Sequence, residues 1–429
     1  MQKFLYCVCR ILLGTFGAGA FAAAPGPQPG AERPVFLGQH IIYAHSFDIL
    51  QADLFDGLRI WNAEGTTWAN VERVHGRFDF DQFDKHVRGA KGLRLDLMYT
   101  LGQTPQWASS RPQESGEVGM GAAAEPKDLA DWARYVRAVA TRYKGKITAY
   151  EVMNEPRIPE AFKMVSPGFF SGSASMLAKM TIIAAAEIRN VDPAAKVVCP
   201  AMTGGKHGLK RLDVFLNTGA GKYCDVIGFH YYLSSFGLPE LRELILETHR
   251  IKARHGLAKV PIWNTETGFL IAEAGYDLKP KESAGPASRQ FQSMEAARLA
   301  AKILVLSHVL GVERTYWFAH DTSWMGSTVA DKRTNRLNNF GEALKVLKQW
   351  LSGHYLRDCA ESATAMECGA YDQHKQAGKV VWGKGKLPST WTREGYSKVE
   401  FLDGNSRMLR DLDQSLPLPG HPDDVIFLR

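Results

Sequence analysis

Residues 150–156 of the chain read Tyr-Glu-Val-Met-Asn-Glu-Pro, a short run that ends in an asparagine, a glutamate and a proline. Residues 262–268 read Ile-Trp-Asn-Thr-Glu-Thr-Gly, and this run also has a glutamate close to its end, before a turn-forming residue. Short apolar runs that end in polar or turn-forming residues are typical of buried strands. We therefore expect each stretch to be a strand that carries one glutamate, Glu155 or Glu266, to the edge of a sheet.

Similar short runs recur along the chain, with amphipathic segments between them that have helical spacing. The eight predicted strands cover residues 35–40, 57–62, 94–101, 150–154, 196–202, 226–232, 261–266 and 315–320. This alternation is the signature of parallel β/α units. A glycine-rich dinucleotide fingerprint does not follow the first strand, which disfavours an open doubly wound sheet. The predicted fold is α/β, a (β/α)8 TIM barrel with a small C-terminal β-rich accessory region.

The chain of 429 residues divides into four predicted regions. Residues 1–22 form a signal peptide, 23–34 a Pro/Gly linker, 35–351 the (β/α)8 catalytic barrel and 352–429 a small β-rich accessory region. The last barrel helix is expected at 341–351, because short strand-like pieces replace the β/α alternation after it. The favoured role of the accessory region is packing on the barrel, and a carbohydrate-binding module is the alternative.

The first 22 residues have the pattern of a secretory signal. Lys3 and Arg10 precede an apolar, small-residue run over 11–21, and Ala20-Phe21-Ala22 provides a cleavage site. The run is too short to span a bilayer. The expected result is export to the periplasm or the medium, with a mature chain that begins near Ala23 and has no stable membrane insertion. A retained anchor and a cytosolic start stay open, because Arg10 interrupts the apolar stretch.

Four of the six cysteines would remain after cleavage, in an oxidising compartment. Three pairings of these four are possible. Cys359 and Cys368 are close enough in sequence to bridge a hairpin, and we predict that bridge. Cys199 and Cys224 are expected at different heights of neighbouring strands, where free buried thiols are an open alternative.

Composition and motifs exclude several function classes. The chain has no paired CxxC motif and no HExxH motif, so no metal and no cofactor are expected. The net charge of +7 would steer an acidic polymer towards the protein. Basic residues are nevertheless scattered among acidic ones, and no basic-aromatic run or nucleic-acid motif is present, so nucleic acid is not an expected partner.

The two strand-end glutamates match the chemistry of glycoside hydrolysis with retention. That reaction needs one carboxylic acid to protonate the leaving oxygen and one carboxylate to attack the anomeric carbon, roughly 5 to 5.5 Å apart. The active site of such a barrel lies at the carboxyl ends of its strands, and strands four and seven face each other across it. Glu155 and Glu266 are therefore the predicted catalytic pair. Glu64, Glu151 and Asp321 are ranked lower for these roles.

Segments between Val35 and Leu351 resemble glycoside hydrolase clan A, whose members carry the acid/base after strand four and the nucleophile after strand seven. The resemblance implies that Glu155 is the general acid/base and Glu266 the nucleophile. Within that clan the chain resembles family 39 and related bacterial exopolysaccharide glycosidases. The resemblance depends on residues 68–72 (Trp-Ala-Asn-Val-Glu), 76–80 (Gly-Arg-Phe-Asp-Phe), 104–107 (Thr-Pro-Gln-Trp), 154–156 (Asn-Glu-Pro), 228–232 (Gly-Phe-His-Tyr-Tyr) and 265–268 (Thr-Glu-Thr-Gly).

The resemblance implies roles for four polar residues. Asn154 is similar to an asparagine that hydrogen-bonds the sugar 2-hydroxyl, a contact that strengthens in the transition state. Arg59 resembles an arginine that keeps the nucleophile ionised, because a nearby cation lowers the pKa of a carboxyl. His230 and Tyr232 resemble a pair that orients the nucleophile and contacts the substrate. The alternative for Arg59 and His230 is that they satisfy hydrogen bonds of the core.

Two tryptophans are implied as sugar-contacting residues. Trp317, on strand eight, resembles the aromatic floor beneath the reacting sugar, and Trp107 is a candidate for a neighbouring subsite. Packing in the core is an equally weighted alternative for both.

These inferences predict a retaining glycoside hydrolase that cleaves β-linked O-glycosidic bonds by double displacement. The expected partner is a polysaccharide or oligosaccharide, such as a bacterial exopolysaccharide, with endo action favoured, and the expected state is a monomer. One alternative is a secreted, non-catalytic glycan-binding barrel. The other is a metal-dependent barrel hydrolase or lyase, which would need His, Asp and Glu clustered at several strand ends.

Overall fold

The computed structural model describes residues 22–23, 32–48, 50, 52–162, 166–233, 237–271, 290–321, 336–362, 365–383, 388–416, 418, 421 and 423–429. The predicted signal peptide and linker therefore lie almost entirely outside the described residues. Ala22–Ala23 is described and pairs antiparallel with Ala360 and Glu361. None of the helices in these ranges is both long enough and apolar enough to span a bilayer.

Eight parallel strands form one sheet in which successive strands are neighbours and the first strand pairs with the eighth. The fifth and sixth strands lie at the two ends of this order. Parallel bridges from Val198 to Val226 and from Met202 to Phe229 link the two outer strands, so the barrel is nearly closed. The predicted TIM barrel is confirmed. Its strands are β1 Leu37–His40, β2 Gly57–Ile60, β3 Asp96–Leu101, β4 Ala149–Val152, β5 Lys196–Val198, β6 Ile227–His230, β7 Ile262–Thr267 and β8 Val312–Trp317.

The first eight helices cover the barrel, and the ninth lies in the C-terminal region. They are α1 Trp68–Val71, α2 Asp81–Gly92, α3 Leu129–Arg142, α4 Ala174–Val191, α5 Lys206–Asn217, α6 Leu238–Arg254, α7 Ser293–Val309, α8 Asn339–Leu351 and α9 Pro388–Arg393. Side-chain caps define several starts: the Ser173 hydroxyl accepts from the Met176 N–H at 3.1 Å, and Asn338 Oδ1 accepts from the Gly341 N–H at 2.8 Å. Each cap satisfies a backbone donor that the helix itself leaves unpaired.

Apolar side chains from successive strands fill the lower barrel. This interior cluster consists of Met98, Ala149, Val198, Val226, Trp263 and Tyr316. The Tyr316 ring occupies the space beside Gly38, where an added Cβ would lie 2.2 Å from its Cδ1. Since the packed interior leaves no pore at this level, polar groups of the strands can gather at the carboxyl ends.

An antiparallel sheet follows the barrel, as the predicted accessory region requires. Its strands are β9 Tyr355–Glu361, β10 Met366–Asp372, β11 Lys375–Trp382, β12 Lys398–Phe401, β13 Ser406–Met408 and β14 Ile426–Leu428. The sheet contacts the barrel helices: the Trp350 ring of α8 stacks on Phe427 at 5.6 Å, and Arg298 of α7 pairs with Asp424 at 2.5 Å. The favoured packing role of this region agrees with these contacts.

Two disulfide bridges are present in the described residues. The predicted bridge between Cys359 and Cys368 is confirmed and joins β9 to β10. Cys199 and Cys224, whose state the sequence left open, are also bridged, with Cα atoms 5.4 Å apart. Cys224 lies in the connection before β6 rather than in the strand, and this connection passes directly beside the end of β5.

We expect the double variant Cys199→Ala/Cys224→Ala to be less stable by about 3 kcal/mol, because the bridge closes a long loop and restricts the unfolded chain. The loop spans 25 positions. Denaturant unfolding of protein made under oxidising conditions measures the difference. Cys359→Ala/Cys368→Ala is the matched control, with a shorter loop of 9 positions and a smaller expected loss. Peptide mapping that found Cys199 and Cys224 reduced would contradict the pairing.

Candidate active site

The chain turns sharply where β4 delivers its glutamate. Asn154 makes an isolated parallel bridge with Ala201, and the Glu155 N–H donates to the Ala201 carbonyl at 3.0 Å. Met153 has a φ of 74° and Glu155 a φ of 40°, in the left-handed region that non-glycine residues rarely adopt. Such conformations cluster at functional sites, where the surrounding structure holds them. Here the contacts with Ala201, in the segment that follows β5, hold the turn.

Glu155 and Glu266 meet at the barrel mouth. One donor atom from each of Glu155, His230 and Glu266 lies within 4.8 Å of the others. The two glutamate side chains are 13% and 8% exposed. A separation of this size matches the roughly 5 to 5.5 Å of retaining enzymes and is too small for the roughly 6.5 to 9.5 Å of inverting ones, which place a water between the carboxyls. The pair predicted from sequence is therefore assembled with the geometry of retention.

Donors surround the Glu266 carboxylate. The Tyr232 hydroxyl donates to Oε1 at 3.0 Å, and Nη1 of Arg59 donates to Oε2 at 2.7 Å. His40, which ends β1, has its Nε2 3.8 Å from the same Oε2. Arg59 and Tyr232 thus occupy the positions that the sequence analysis assigned to them, and they orient both oxygens of Glu266.

Arg59 is fully buried and connects four strand ends. Its guanidinium donates to Glu151, to Oδ1 of Asn154 at 2.7 Å and to Nε2 of His40 at 2.7 Å, besides Glu266. Burial, followed by the charge of Arg59, holds the pKa of His40 well below its usual value. His40 is therefore neutral and accepts from the guanidinium through Nε2.

The same network orients the Asn154 side chain. Because Oδ1 of Asn154 accepts from Arg59, its Nδ2 faces away from the guanidinium. Nδ2 is buried and has no hydrogen-bond partner among the described residues. An unpaired buried donor is costly unless a ligand accepts from it, which suits the predicted contact with a sugar hydroxyl.

His230 links the two glutamates. Its Nδ1 lies 2.7 Å from Oε1 of Glu155 and 4.0 Å from Oε1 of Glu266. Burial favours a higher pKa for Glu155, but the hydrogen bond and charge of His230, together with Thr203 and Arg157, outweigh it and lower the pKa of Glu155 below its ordinary value. Burial prevails at Glu266, where it raises the pKa against the opposing charges of His230 and Arg59. Because the two carboxyls interact, their apparent pKa values belong to the pair rather than to either residue alone.

Glu155, His230 and Glu266 are also the place in the described residues where a cation would find three donors. The hydrogen bonds from Tyr232 and Arg59 already satisfy Glu266. The guanidinium of Arg59, only 2.7 Å from the carboxylate, repels a metal ion at this position. The donor set therefore fits acid/base and nucleophilic chemistry better than metal binding.

A family model for glycosyl hydrolase family 10 matches residues 55–199, the segment from β2 to the end of β5 that contains Asn154 and Glu155. This match supports the resemblance to the clan A glycoside hydrolases. No curated protein sequence matches the chain significantly.

Solved structures share the fold of this protein. A family 39 glycoside hydrolase from Bacteroides cellulosilyticus WH2 has a TM-score of 0.62 and 12% identity, covering 93% of this chain and 80% of that chain. A GH30 endoxylanase from Clostridium papyrosolvens C71 has a TM-score of 0.55 and 14% identity, covering 92% and 96%. The GH39 enzyme from Xanthomonas axonopodis pv. citri has a TM-score of 0.54 and 15% identity, covering 82% and 73%. At these identities the likeness shows the barrel fold.

The aromatic residue that follows β8 at this site is Phe318, whereas Trp317 ends the strand. Trp317 is 2% exposed and packs between Phe269 and Phe340 in the layer outside the barrel, so its predicted role as a sugar floor was wrong. Side chains alternate along a strand, and Phe318 faces the mouth, with its ring 5.0 Å from that of His40. Phe318 also packs against Tyr232.

Trp107 likewise lies away from the carboxylate pair. Its indole N–H donates to the Glu72 carbonyl at 2.7 Å, and its ring packs against Trp68 and His75. These contacts agree with the packing alternative. Trp61 is the tryptophan next to the site, because Cζ of Arg59 lies 5.9 Å from its ring centroid. Trp61 directly follows β2, and residues at the carboxyl ends of barrel strands lie at the mouth. This position could have identified Trp61 as a site residue from the sequence.

Two of the carboxylates that the sequence analysis ranked lower have structural partners. Glu151 is fully buried and accepts from Arg59 and from the Thr100 hydroxyl at 2.8 Å. Asp321 accepts from the backbone N–H groups of Ile42 and Tyr43, each at 2.9 Å. Both carboxylates are therefore engaged in holding the barrel mouth together.

We expect Tyr232→Phe to move the acidic limb of the kcat/KM–pH profile to higher pH. The lost hydroxyl stabilises ionised Glu266, so its removal raises a pKa that burial already holds above the ordinary value. At neutral pH we expect kcat/KM to fall about tenfold, which corresponds to one charged hydrogen bond of about 1.4 kcal/mol. Steady-state rates across pH 4 to 9 measure both effects.

Tyr231→Phe is the matched control for this experiment. Its hydroxyl bonds Thr248 of α6 at 3.0 Å, on the opposite side of the strand end. The acidic limb should stay in place in this variant. An unchanged acidic limb in Tyr232→Phe would contradict the assignment of that limb to Glu266.

Proposed function

We propose that the protein hydrolyses β-linked glycosidic bonds of a polysaccharide with net retention of anomeric configuration. One observation carries the proposal: the carboxyl groups of Glu155 and Glu266 approach within 4.8 Å on facing strand ends. At that distance one carboxylate reaches the anomeric carbon while the other reaches the glycosidic oxygen of the same sugar.

In the first step Glu266 attacks the anomeric carbon and the bond to the leaving oxygen breaks. Glu155 donates its proton to that oxygen, so the product is a free sugar hydroxyl and a glycosyl ester on Glu266. Nδ1 of His230 lies 2.7 Å from Oε1 of Glu155 and orients this carboxyl. Substrate covers the exposed part of Glu155, and burial favours its neutral form, so Glu155 carries its proton when the leaving oxygen is in place.

In the second step a water replaces the leaving group. Glu155, now ionised, removes a proton from this water as its oxygen attacks the anomeric carbon, and the ester bond to Glu266 breaks. Arg59 and Tyr232 donate to the departing carboxylate and stabilise its returning charge. Two inversions at one carbon give net retention.

Asn154 and Arg59 support a contact with the reacting sugar. The free Nδ2 of Asn154 is a donor suited to the 2-hydroxyl, and its orientation is held by the Arg59 hydrogen bond. This contact would stabilise the transition state more than the ground state, and such a difference raises kcat.

A bacterial exopolysaccharide cleaved internally is the proposed substrate class. The resemblance to family 39 and related exopolysaccharide glycosidases supports it, as do the long mouth loops after β3 and β4. The secretory pattern of residues 1–22 supports action in the periplasm or the medium. Amino-terminal sequencing of exported protein tests this part: a start near Ala23 is expected, and active cytosolic protein that retains Met1 would contradict it.

A panel of exopolysaccharides, plant β-glycans and aryl β-glycosides tests the activity. Reducing-end release identifies substrates, and proton NMR of the first product shows its anomeric configuration before mutarotation. We expect the β-anomer to form first from a β-linked substrate. An α-anomer as the first product would overturn the retaining mechanism, and the absence of any release by folded protein across the panel would favour a non-catalytic glycan-binding barrel.

A further inference from the structure

Arg211, on α5, is one of two buried arginines in the described residues, and the other is Arg59. Arg59 pairs with two carboxylates, Glu151 and Glu266. Arg211 instead donates to a backbone carbonyl, that of Thr203, at 3.1 Å, and no described carboxylate pairs with it. A buried cation without an anion is unfavourable unless a ligand supplies the opposite charge.

Arg157 presents a second guanidinium beside Glu155. Its Nε is buried and has no hydrogen-bond partner in the described part of the chain. The backbone N–H of Arg157 donates to the Phe170 carbonyl at 2.7 Å, and the stem of its side chain packs on Gly168, where an added Cβ would lie 2.6 Å from Cγ of Arg157. Arg157 is therefore a positioned donor rather than a freely moving surface side chain.

The two guanidiniums and Glu155 lie within electrostatic reach of one another. Burial, followed by the charge of Arg157, lowers the pKa of Arg211, whereas the charge of Glu155 acts in the opposite sense. Arg157 also favours the ionised form of Glu155. Two neighbouring cations repel each other, and an anion that binds between them is attracted by both.

The surroundings of this pair suit a sugar. The Phe162 ring lies 5.8 Å from Cζ of Arg211 and 4.7 Å from Nζ of Lys210, so an apolar face adjoins the cations. α5 begins at Lys206 after Gly205, which supplies no side-chain cap, and its amino end adds partial positive charge close to Thr203. Aromatic rings contact the apolar faces of pyranoses, and paired guanidiniums bind carboxylates.

The position of the pair identifies the part of the substrate that it would contact. Arg59, Asn154 and Tyr232 surround the nucleophile and so face the sugar that becomes bound to Glu266. Arg157 follows the acid/base in the chain, and Arg211 lies behind Thr203, which hydrogen-bonds Glu155. This side of Glu155 faces the leaving group.

We propose that Arg157 and Arg211 form a subsite for the carboxylate of a uronic acid unit on the leaving-group side of the scissile bond. The inference rests on the proposed function and deepens it, because it makes the substrate an acidic glycan. The net charge of +7 would raise the rate of encounter with such a polymer.

A substrate pair that differs at one group tests the proposal. Gellan, xanthan and alginate are each compared with their carboxyl-reduced forms, in which the carboxylate becomes a hydroxymethyl group and the linkages are unchanged. For the wild-type protein we expect kcat/KM on at least one acidic polymer to exceed that on its reduced form by about 30-fold or more. Equal rates on both forms, or hydrolysis confined to neutral glycans, would overturn the proposal.

Four variants assign the preference to these residues. Arg157→Gln, Arg211→Gln and Arg211→Lys should each lower kcat/KM on the acidic polymer about tenfold and reduce the ratio between acidic and reduced forms. Lys206→Gln is the matched control, since it removes one positive charge nearby from a side chain paired with Glu243 at 3.6 Å. In Lys206→Gln the ratio of kcat/KM between the acidic and the reduced polymer should equal that of the wild type. Arg157→Gln and Arg211→Lys keep the test decisive if Arg211→Gln does not fold.

Binding to the inactive variant Glu266→Gln separates this inference from the proposed function. Calorimetry with acidic oligosaccharides of the chosen polymer should show binding that weakens as salt increases and that weakens further when Arg157→Gln is added. Binding of this kind without turnover by the wild-type protein would contradict the proposed function and support the subsite. Turnover that does not depend on either arginine would support the proposed function and contradict the subsite.

Discussion

We expect Glu266→Ala to lower kcat on natural glycans and on activated aryl glycosides alike, by on the order of 10⁵-fold. The glycosyl ester forms on this carboxylate, and a good leaving group does not replace the missing nucleophile. The loss should not reflect unfolding, because Arg59 keeps its ion pair with Glu151 and its hydrogen bonds to Asn154 and His40. Initial rates, together with thermal unfolding of the same samples, measure the effect.

Two further variants show whether the loss is specific to the Glu266 carboxylate. Glu266→Gln retains the shape of the side chain and should be equally inactive, which separates the loss of charge from the loss of packing. Glu160→Gln is the matched control for a glutamate near the mouth: its Oε1 accepts from the Ala174 N–H at 3.1 Å, a contact that an amide oxygen preserves. A Glu266→Ala variant that kept a tenth of the wild-type rate on any substrate would refute its assignment as nucleophile.

Glu155→Ala should separate the two substrate types. On natural glycans, whose leaving oxygen needs a proton, we expect kcat/KM to fall about 10³-fold to 10⁴-fold. On aryl glycosides with acidic leaving groups the first step needs little protonation, so formation of the glycosyl ester should remain fast while its hydrolysis becomes slow. A burst of released phenol followed by slow turnover is the expected time course.

Azide identifies the role of Glu155 more directly. It needs no general base and fits the space left by the shortened side chain, so it should restore turnover of the aryl glycoside and yield a β-glycosyl azide from a β-glycoside. The Glu266→Ala variant treated in the same way is the control and should give no β-azide. If azide failed to accelerate Glu155→Ala, or if this variant were inert towards the activated substrate, the acid/base assignment would have to be abandoned.

The barrel was predictable because its signals are local. Each parallel strand is buried on both faces and so reads as a short apolar run, and each covering helix has an apolar stripe. The predicted ends of the strands agreed less well with the structure. Predicted strand eight covered 315–320, whereas β8 is Val312–Trp317, because pairing with β7 begins earlier and the chain beyond Trp317 turns to form the mouth.

The error at Trp317 and the open state of Cys199 and Cys224 share a cause that is not local. Trp317 and Phe318 are adjacent aromatics, and their choice between the mouth and the outer layer depends on which face β8 turns inward once it pairs with β7 and β1. The bridge between Cys199 and Cys224 depends on how closely the connection before β6 passes the end of β5. Neither fact has a signature in residue type or spacing.

The sequence by itself determined the order of strands and helices, and with it the delivery of Glu155 and Glu266 to one end of the barrel, since strand ends in a closed parallel sheet converge. Tertiary structure alone decided which groups surround them. His40 joins the site from β1, Phe318 from beyond β8, and Arg211 from α5. These residues are far apart in the chain, and their contacts depend on the packing of elements in three dimensions, which no local pattern encodes.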